Sequence, residues 1–309
     1  MTDLPALGLF TLVVLFLLAL DLGVFQRRPH AIAFREAASW YAFWVALSIA
    51  FNVGVYFWRG PQPALEFLTG YILEVSLSMD NVFVFAVIFG YMGVRPQFQH
   101  RVLFWGIVGA LIMRGTFIAA GVALVARFHW ILYVFGVFLV MTGAKLFREE
   151  KQEFHPERNP LLKIARKIFP ITPQYEGAAF FVVREGRRYA TPMLLVLVLV
   201  ESTDVLFAVD SIPAIFAVTL DPFIIYTSNV FAILGLRSLY FILASAIGRF
   251  RYLRPGLALV LMFVGVKMLV AGFYKIPIVL SLGVITIVLL VAVAASLRAE
   301  RNARIASEN

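Results

Sequence analysis

The stretch Tyr71-Ile-Leu-Glu-Val-Ser-Leu-Ser-Met-Asp-Asn81 places Glu74 and Asp80 inside an apolar run that extends over residues 67–90. A run of this length matches the ~20 apolar residues that cross a bilayer core about 30 Å thick. A charged side chain at the centre of such a helix costs on the order of 2.5–3.5 kcal/mol on insertion scales, so it needs a partner or a function. The stretch therefore predicts a membrane helix with a polar site inside it.

Similar apolar runs recur along the whole chain. Of the 309 residues, 61% are hydrophobic and 15% are charged, whereas soluble domains have about 45–50% and about 25%. We therefore predict an all-α polytopic membrane protein with about nine transmembrane helices. The predicted spans are 4–25, 39–58, 67–90, 101–125, 130–147, 192–219, 224–247, 254–272 and 278–297. The first run has no basic residues before it and no cleavage pattern, so we interpret it as a retained helix rather than a signal peptide.

The basic residues predict the orientation of these helices. Twenty of the 27 Lys and Arg residues fall in loops or tails on one side of the predicted membrane, and only Arg59, Arg127 and Lys275 fall on the other. By the positive-inside rule the rich side is cytoplasmic, which places the N-terminus outside and the C-terminus inside. The net charge of +9 is then explained by topology, so we expect the lipid bilayer and no nucleic acid as partner.

The longest predicted loop, residues 148–191, lies on the cytoplasmic side. Residues 159–169 alternate apolar and basic side chains at helical spacing, which favours a short amphipathic helix on the membrane surface. Residues 179–190 contain two β-prone runs around a glycine turn, which favours a hairpin. The loop is either a simple connector or a regulatory or partner-docking element.

Charged residues within the spans repeat in order. Asp80, Arg114 and Lys145 are 34 and 31 residues apart, and Asp204, Arg237 and Lys267 are 33 and 30 apart. Each set covers three spans, so the two units have opposite orientations, as in the inverted repeats of many secondary transporters. We therefore predict two inverted three-helix repeats, formed by helices 3–5 and 6–8. The predicted segments are 1–66 (two N-terminal helices), 67–147 (first repeat), 148–191 (cytoplasmic loop), 192–272 (second repeat) and 273–309 (last helix and tail).

The acids within the spans suggest a metal site. Carboxylate and amide oxygens suit Mg²⁺, Ca²⁺ or Mn²⁺, between which the residue chemistry does not choose. There is no cysteine, which excludes thiolate ligands and disulfides. The predicted ligands are Glu74, Asp80, Asn81, Glu201, Asp204 and Asp210. Asp210 would turn away from Asp204 on a straight helix, and Pro213 follows Asp210 in the sequence. We therefore expect a kink or unwound turn near Asp210 to Pro213.

Other residues have supporting roles in this hypothesis. Arg114 and Arg237 are predicted counter-ions or gates, while Lys145 and Lys267 are counter-ions that lie near span ends and can alternatively extend to the membrane surface. Possible lining residues are Ser78, Ser211 and Asn229. The alternative interpretation is that the acids form ion pairs with the two arginines that only hold the helices together.

The chain resembles the TerC/Alx family over nearly its whole length. The resemblance rests on residues 71–84 and on Leu199-Val-Glu-Ser-Thr-Asp-Val-Leu-Phe-Ala-Val-Asp-Ser-Ile-Pro-Ala-Ile-Phe-Ala217, in which the Asp-Ser-Ile-Pro-Ala string is specific. Asp221-Pro-Phe-Ile and Thr227-Ser-Asn-Val-Phe-Ala-Ile-Leu-Gly-Leu-Arg237 also resemble this family, particularly its Alx branch.

This resemblance implies a multi-pass protein of the bacterial inner membrane that exports Mn²⁺. The family's intramembrane acids correspond to Glu74, Asp80, Glu201, Asp204 and Asp210. We expect a transporter rather than an enzyme, with Mn²⁺ and protons as transported ions, no permanently bound cofactor and a possible homo-oligomer. The alternatives are a membrane scaffold that assists the metallation or insertion of other proteins, and an intramembrane enzyme, for which the chain has no recognised catalytic motif.

Overall fold

The computed structural model describes residues 4–20, 32–148, 159–184, 186–244 and 252–308. These residues form ten α-helices and one two-stranded antiparallel sheet, which confirms the predicted all-α class. The elements in chain order are α1 (Leu4–Leu20), α2 (Phe34–Arg59), α3 (Pro61–Met92), α4 (Pro96–Arg127), α5 (Ile131–Arg148), α6 (Pro160–Ile168), β1 (Phe181–Arg184), β2 (Arg187–Ala190), α7 (Pro192–Phe216), α8 (Pro222–Ala244), α9 (Leu253–Val270) and α10 (Ile278–Glu308).

Eight of the described helices are long and apolar enough to cross a membrane, namely α2–α5 and α7–α10. The first predicted span corresponds to α1, a shorter apolar helix, and residues 21–25 at its end lie outside the described residues. Residues 245–247 of the seventh predicted span lie outside them too. Large apolar side chains point outwards, such as Phe57 and Leu12, which are 81% and 66% exposed. Lipid tails accommodate such a surface, whereas water does not.

Helices α3–α5 and α7–α9 pack against one another. Contacts join α3 to α8, α4 to α7 and α5 to α9, while α3 also packs on α7 and α2 packs on α8. The position of Gly106 beside Val200 and of Gly121 beside Phe216 shows that α4 and α7 run in the same direction. By contrast, α5 and α9 run antiparallel, because Gly136 lies beside Gly265 at one end of the interface and Gly143 lies beside the start of α9 at the other.

Two glycines allow α5 and α9 to approach closely. A Cβ atom on Gly143 would lie 2.7 Å from the carbonyl oxygen of Ala258, and one on Gly265 would lie 2.7 Å from the carbonyl oxygen of Gly136. Real Cβ atoms do not come so near to a backbone oxygen, so any larger residue would separate the helices. Small residues at helix contacts are the usual way in which membrane helices pack tightly.

The expected unwound turn near Pro213 is absent, whereas the alternative expectation of a kink there stays a prediction. Helix α7 continues through Asp210 and Pro213 and ends at Phe216. An interior proline removes one N–H from the helix ladder and crowds the carbonyl of residue i−4, but the residues around Pro213, such as Ser211 and Ile215, are buried. Packing therefore maintains the helix, and Asp210 faces away from Asp204 as it would on a regular helix.

Both elements predicted within the long loop are present. Asn159 caps α6 by accepting hydrogen bonds from the backbone of Leu161 and Leu162, and β1 pairs with β2 through a turn at Gly186, where φ is +73°. Helix α6 packs alongside the first half of α7, with the Asn159 amide 2.7 Å from the Ser202 hydroxyl. Its place at the membrane surface stays a prediction, and residues 149–158 lie outside the described residues.

Three apolar clusters surround the charged residues of the central helices. Tyr71, Leu73 and Val82, all on α3 near Glu74, belong one to each cluster. The clusters together draw on side chains from every long helix between α2 and α10. Glu74 thus lies where they meet, which places the first predicted acid near the centre of the bundle.

Candidate functional site

The buried acids of the bundle separate into two groups, of which the first surrounds Arg114. Arg114 forms ion pairs with Glu74 of α3 and with both carboxylate oxygens of Asp204 of α7, at 3.3 and 3.4 Å for the latter. Its Nη1 atom also donates to Ser211 at 3.1 Å, and the Asn229 amide donates to the second oxygen of Glu74 at 3.0 Å. We call these five residues the Arg114 group.

The Arg114 group is nearly inaccessible to water. The side chains of Arg114, Glu74 and Asp204 are 2%, 2% and 4% exposed. In such surroundings, removing one member of an ion pair leaves an uncompensated charge, at a cost of about 3–5 kcal/mol. For Glu74 and Asp204, the geometry therefore matches the alternative in which ion pairs hold helices together.

The second group lines a cavity of about 510 Å³ bordered by α3, α5, α7 and α9. Asp80 of α3 and Asp210 of α7 lie on its wall and are within electrostatic range of one another. Arg254 of α9 and Lys145 of α5 also line it, with the Arg254 Nε atom 3.6 Å from Asp80. We call these four residues the cavity group. The Asp80 and Arg254 side chains are 22% and 27% exposed, which is far more than in the Arg114 group.

The cavity wall includes a buried oxygen atom that has no hydrogen-bond partner among the described residues. Asn81 lines it and is 1% exposed, and its Oδ1 atom has no hydrogen-bond partner among the described residues. Ser211 and Arg114 border the same cavity, so the two groups meet there. Since a buried polar atom without a partner is costly, the Asn81 oxygen is suited to a bound cation or water.

Glu201 and Arg237 belong to neither group, but both lie near Asp204. Glu201 of α7 packs its carboxylate against Gly109 of α4, and its Oε2 atom is buried without a hydrogen-bond partner in the described part of the chain. Arg237 of α8 is 4% exposed and borders a small cavity together with Asp204. Arg237 is therefore adjacent to the Arg114 group on its other side.

The six predicted ligands do not form one shell in this structure. No three Asp, Glu or His side chains of the described residues come close enough to hold a metal ion together. The acids are instead divided between the Arg114 group, the cavity group and Glu201. The division has a simple cause: α7 is a regular helix, so residues six positions apart, such as Asp204 and Asp210, face different neighbours.

The supporting residues are similarly divided. Lys145 belongs to the cavity group, whereas Lys267 borders a different cavity of about 280 Å³ with Gln62 and Lys275. Ser78 is buried at 1% exposure, and its hydroxyl has no partner among the described residues. Ser211 and Asn229 contact Arg114 and Glu74, respectively, as members of the Arg114 group.

Two polar residues of the cavity wall, Arg254 and Thr142, are not among the predicted site residues. Arg254 lies at the start of a predicted span, where a basic residue indicates only the orientation of the helix. Thr142 lies within hydrogen-bonding reach of Asp210 and also lines the cavity. No local pattern distinguishes Arg254 from Arg249 or Arg251, and only the place of α9 beside α3 reveals it.

Fold and site together define a multi-pass helical membrane protein with charged side chains gathered between its central helices. A sequence model described as the Integral membrane protein TerC family matches residues 59–304. The chain belongs to the TerC family.

Relatives from several bacteria are similar over most of the chain. An uncharacterized membrane protein of Myxococcus xanthus is 53% identical over 95% of this chain and 92% of its own length. A protein of Escherichia coli K12 named "Putative membrane-bound redox modulator Alx" is 48% identical over 90% of this chain and 89% of its own length. An uncharacterized membrane protein of Rickettsia bellii is 40% identical over 93% of this chain and 95% of its own length. No solved structure matches the chain.

Proposed function

We propose that this protein is a secondary transporter of the bacterial inner membrane that exports Mn²⁺ from the cytoplasm in exchange for protons. The observation that carries the proposal is the cavity between α3, α5, α7 and α9. Carboxylates from two different helices, Asp80 and Asp210, line this cavity together with the unpartnered oxygen of Asn81.

The chemistry of the wall suits a hard divalent cation. Two carboxylates, the Asn81 amide and the Ser211 hydroxyl offer oxygen atoms, which Mn²⁺, Mg²⁺ and Ca²⁺ accept in six-coordinate sites completed by water. The choice of Mn²⁺ rests on the resemblance to the TerC/Alx family. Protons compete for the same carboxylates, so a proton that binds to Asp80 or Asp210 would release the cation, which is the simplest form of exchange.

The helix contacts support the inverted-repeat hypothesis. In this hypothesis α3, α4 and α5 correspond to α7, α8 and α9, respectively. A two-fold axis between the repeats would then exchange the α3–α8 contact with the α4–α7 contact. Both contacts are present. The same correspondence relates Gly143 to Gly265 and Gly136 to Ala258. It therefore exchanges the contact between Gly143 and Ala258 with that between Gly265 and Gly136. In both contacts, a Cβ atom on the first glycine would lie 2.7 Å from the carbonyl oxygen of the second residue. Such repeats provide transporters with two alternative openings.

The proposed orientation agrees with export. The cavity contains Lys145 from the last turn of α5 and Arg254 from the first turn of α9, and both helix ends are on the predicted cytoplasmic side. A cation from the cytoplasm would therefore meet the cavity first. We infer no enzymatic activity, no nucleic-acid partner and no permanently bound cofactor. The exposed apolar surface is compatible with a homo-oligomer within the bilayer.

The name of the Escherichia coli relative mentions redox modulation. This chain contains no cysteine, so thiol–disulfide exchange within it is impossible. A redox effect of such a protein would be indirect in our proposal, through the amount of Mn²⁺ that remains in the cell.

Transport in proteoliposomes tests the proposal. The purified protein is reconstituted in vesicles, and Mn²⁺ entry is followed with an internal dye while a pH gradient is applied. We expect wild-type flux, and a loss of about 10- to 100-fold or more in Asp80→Asn and Asp210→Asn, since even outer-shell partners of metal sites have effects of this size. Glu176→Gln, in the partly exposed loop pair with Arg184, is the matched control and should transport normally.

The outcomes separate the parts of the proposal. No flux of wild-type protein under any pH gradient would contradict the transporter function. Flux that both Asp80→Asn and Asp210→Asn retain would contradict the site, and competition by Mg²⁺ or Ca²⁺ at equal concentration would contradict the choice of Mn²⁺. If loss of residues 160–190 abolishes a cellular Mn²⁺ effect while vesicle flux remains, the scaffold alternative is favoured.

A further inference from the structure

The cavity group contains two basic residues that a cation site does not require. Arg254 lies 3.6 Å from Asp80, and Lys145 is within electrostatic range of Asp210. Each acid of the cavity thus has its own basic neighbour, and the two basic residues come from α9 and α5. Arg114, which also borders the cavity, is already paired with Glu74 and Asp204.

A divalent cation that enters this cavity meets balanced charge. The two carboxylates are formally neutralised by Arg254 and Lys145, so a bound Mn²⁺ would add two positive charges to a partly enclosed space. Like charges a few ångströms apart repel each other strongly where water is scarce. The cation can bind well only if the two basic side chains move away from the carboxylates.

The contacts of Arg254 are weak enough to allow this movement. Its Nε atom is buried, has no hydrogen-bond partner among the described residues, and is separated from Asp80 by more than hydrogen-bond distance. Arg254 also lies in the first turn of α9, where the helix dipole disfavours a cation. Its position therefore does not stabilise α9, and Asp80 is the group on the cavity wall that attracts it.

Lys145 lies at the accessible end of the cavity. It lies in the last turn of α5 and is exposed, so its flexible side chain can extend from Asp210 towards the membrane surface. Arg114 differs from both, because it makes ion pairs and hydrogen bonds to residues of three helices and is 2% exposed.

We propose that Arg254 and Lys145 are tethered counter-cations, which occupy the carboxylates of the empty site and are displaced by the transported ion. This inference rests on the proposed function and specifies how the same site is regulated. The two side chains lower the affinity for the cation and return to Asp80 and Asp210 as it leaves. They thereby prevent the ion from remaining trapped between two carboxylates inside the bilayer.

Equilibrium binding of Mn²⁺ to the purified full-length protein in detergent tests the inference. We expect Arg254→Gln to bind Mn²⁺ about tenfold more tightly than wild type, because one repelling charge is removed. Transport by Arg254→Gln in vesicles should nevertheless be slower, since release becomes limiting. Arg254→Lys, which keeps the charge, should have nearly wild-type affinity. Arg35→Gln, an exposed residue of α2, is the control for loss of a positive charge elsewhere.

A purely structural role for Arg254 predicts the opposite result. If Arg254→Gln binds Mn²⁺ equally or more weakly than wild type, the inference is overturned, while wild-type flux would leave the transporter proposal intact. Lys145→Gln provides a second measurement should Arg254→Gln fail to fold, and it too must bind more tightly. Absence of flux in wild type, by contrast, overturns the proposed function itself.

Discussion

The Arg114 group and the cavity group contain the same kinds of side chain but differ in their access to water. In the first, one arginine is shared by Glu74 and Asp204, and all three are at most 4% exposed. In the second, Asp80 and Arg254 are 22% and 27% exposed, and their atoms approach only to 3.6 Å. Tight pairing without water favours a fixed structure, whereas loose pairing beside a cavity favours exchange of partners.

The comparison shows that similar sequence does not imply the same surroundings. Asp80 and Asp204 occupy matching places in the strings Ser78-Met-Asp80 and Ser202-Thr-Asp204. The structure nevertheless places Asp204 against Arg114 and Asp80 on the cavity wall. We therefore expect changes in the Arg114 group to reduce stability and changes in the cavity group to reduce transport.

The largest expected effect is that of Arg114→Met on stability. The change leaves Glu74 and Asp204 buried without their partner, so the free energy of unfolding should fall by about 3–5 kcal/mol. Denaturation in detergent, followed by tryptophan fluorescence, measures the loss. Arg35→Met, at an exposed position, should change stability by less than about 0.5 kcal/mol.

Combining Arg114→Met with Glu74→Gln and Asp204→Asn sharpens this prediction. The triple variant has no unpaired charge in the group, so it should recover much of the stability lost by Arg114→Met. A triple variant that is less stable than the single one would show that packing, rather than charge, dominates the Arg114 group.

A smaller effect should distinguish the two aspartates of α7. Asp204→Asn removes a charged acceptor of two Arg114 hydrogen bonds and should cost about 1.5–3 kcal/mol. Asp210→Asn, on the cavity wall, should change the free energy of unfolding by less than about 1 kcal/mol. Equal destabilisation by the two changes would contradict the division into a structural and an exchanging group.

The sequence predicts the helices well because hydrophobic length is a strong signal in membrane proteins. All eight long helices coincide with predicted spans, and α1 corresponds to the first predicted span. The α6 helix and the hairpin were also predicted, from amphipathic spacing and from a glycine turn. The unwound turn expected at Pro213 is absent, because the packing of Ser211 and Ile215 outweighs the local cost of the proline.

The site was predictable only in part. Burying charge is expensive, so Glu74, Arg114 and Asp204 could be identified as polar residues of the bundle from sequence alone. The division of the charged residues into the Arg114 group and the cavity group depends on which way each side chain faces and on which helices are neighbours. Arg254 is the clearest example, because its role follows from the contact between α9 and the cavity rather than from any motif.

The α5–α9 interface, which forms one side of the cavity, gives a further prediction. Gly143→Leu would force the side chain against the backbone of Ala258, and overpacking of this kind costs typically about 1–3 kcal/mol. Because Gly143 is two residues from Lys145, transport should fall as well. Gly283→Leu in α10, where a Cβ atom has open space around it, should leave both thermal stability and flux unchanged, and a similar loss there would contradict the close-packing argument.

The smallest expected effect concerns the link between α6 and the Arg114 group. Asn159 caps α6 and donates a hydrogen bond to Ser202, two residues from Asp204. Asn159→Ala should lower the free energy of unfolding by about 1 kcal/mol, as loss of a helix cap usually does. Ser202→Ala removes the partner of the amide but keeps the cap, so the two changes together should cost less than their sum. Additive losses would show that α6 is anchored independently of α7.

The same two variants distinguish the two interpretations of the loop. Unchanged Mn²⁺ flux in both variants would indicate a connector, whereas a change in flux without a change in stability would indicate that α6 regulates transport.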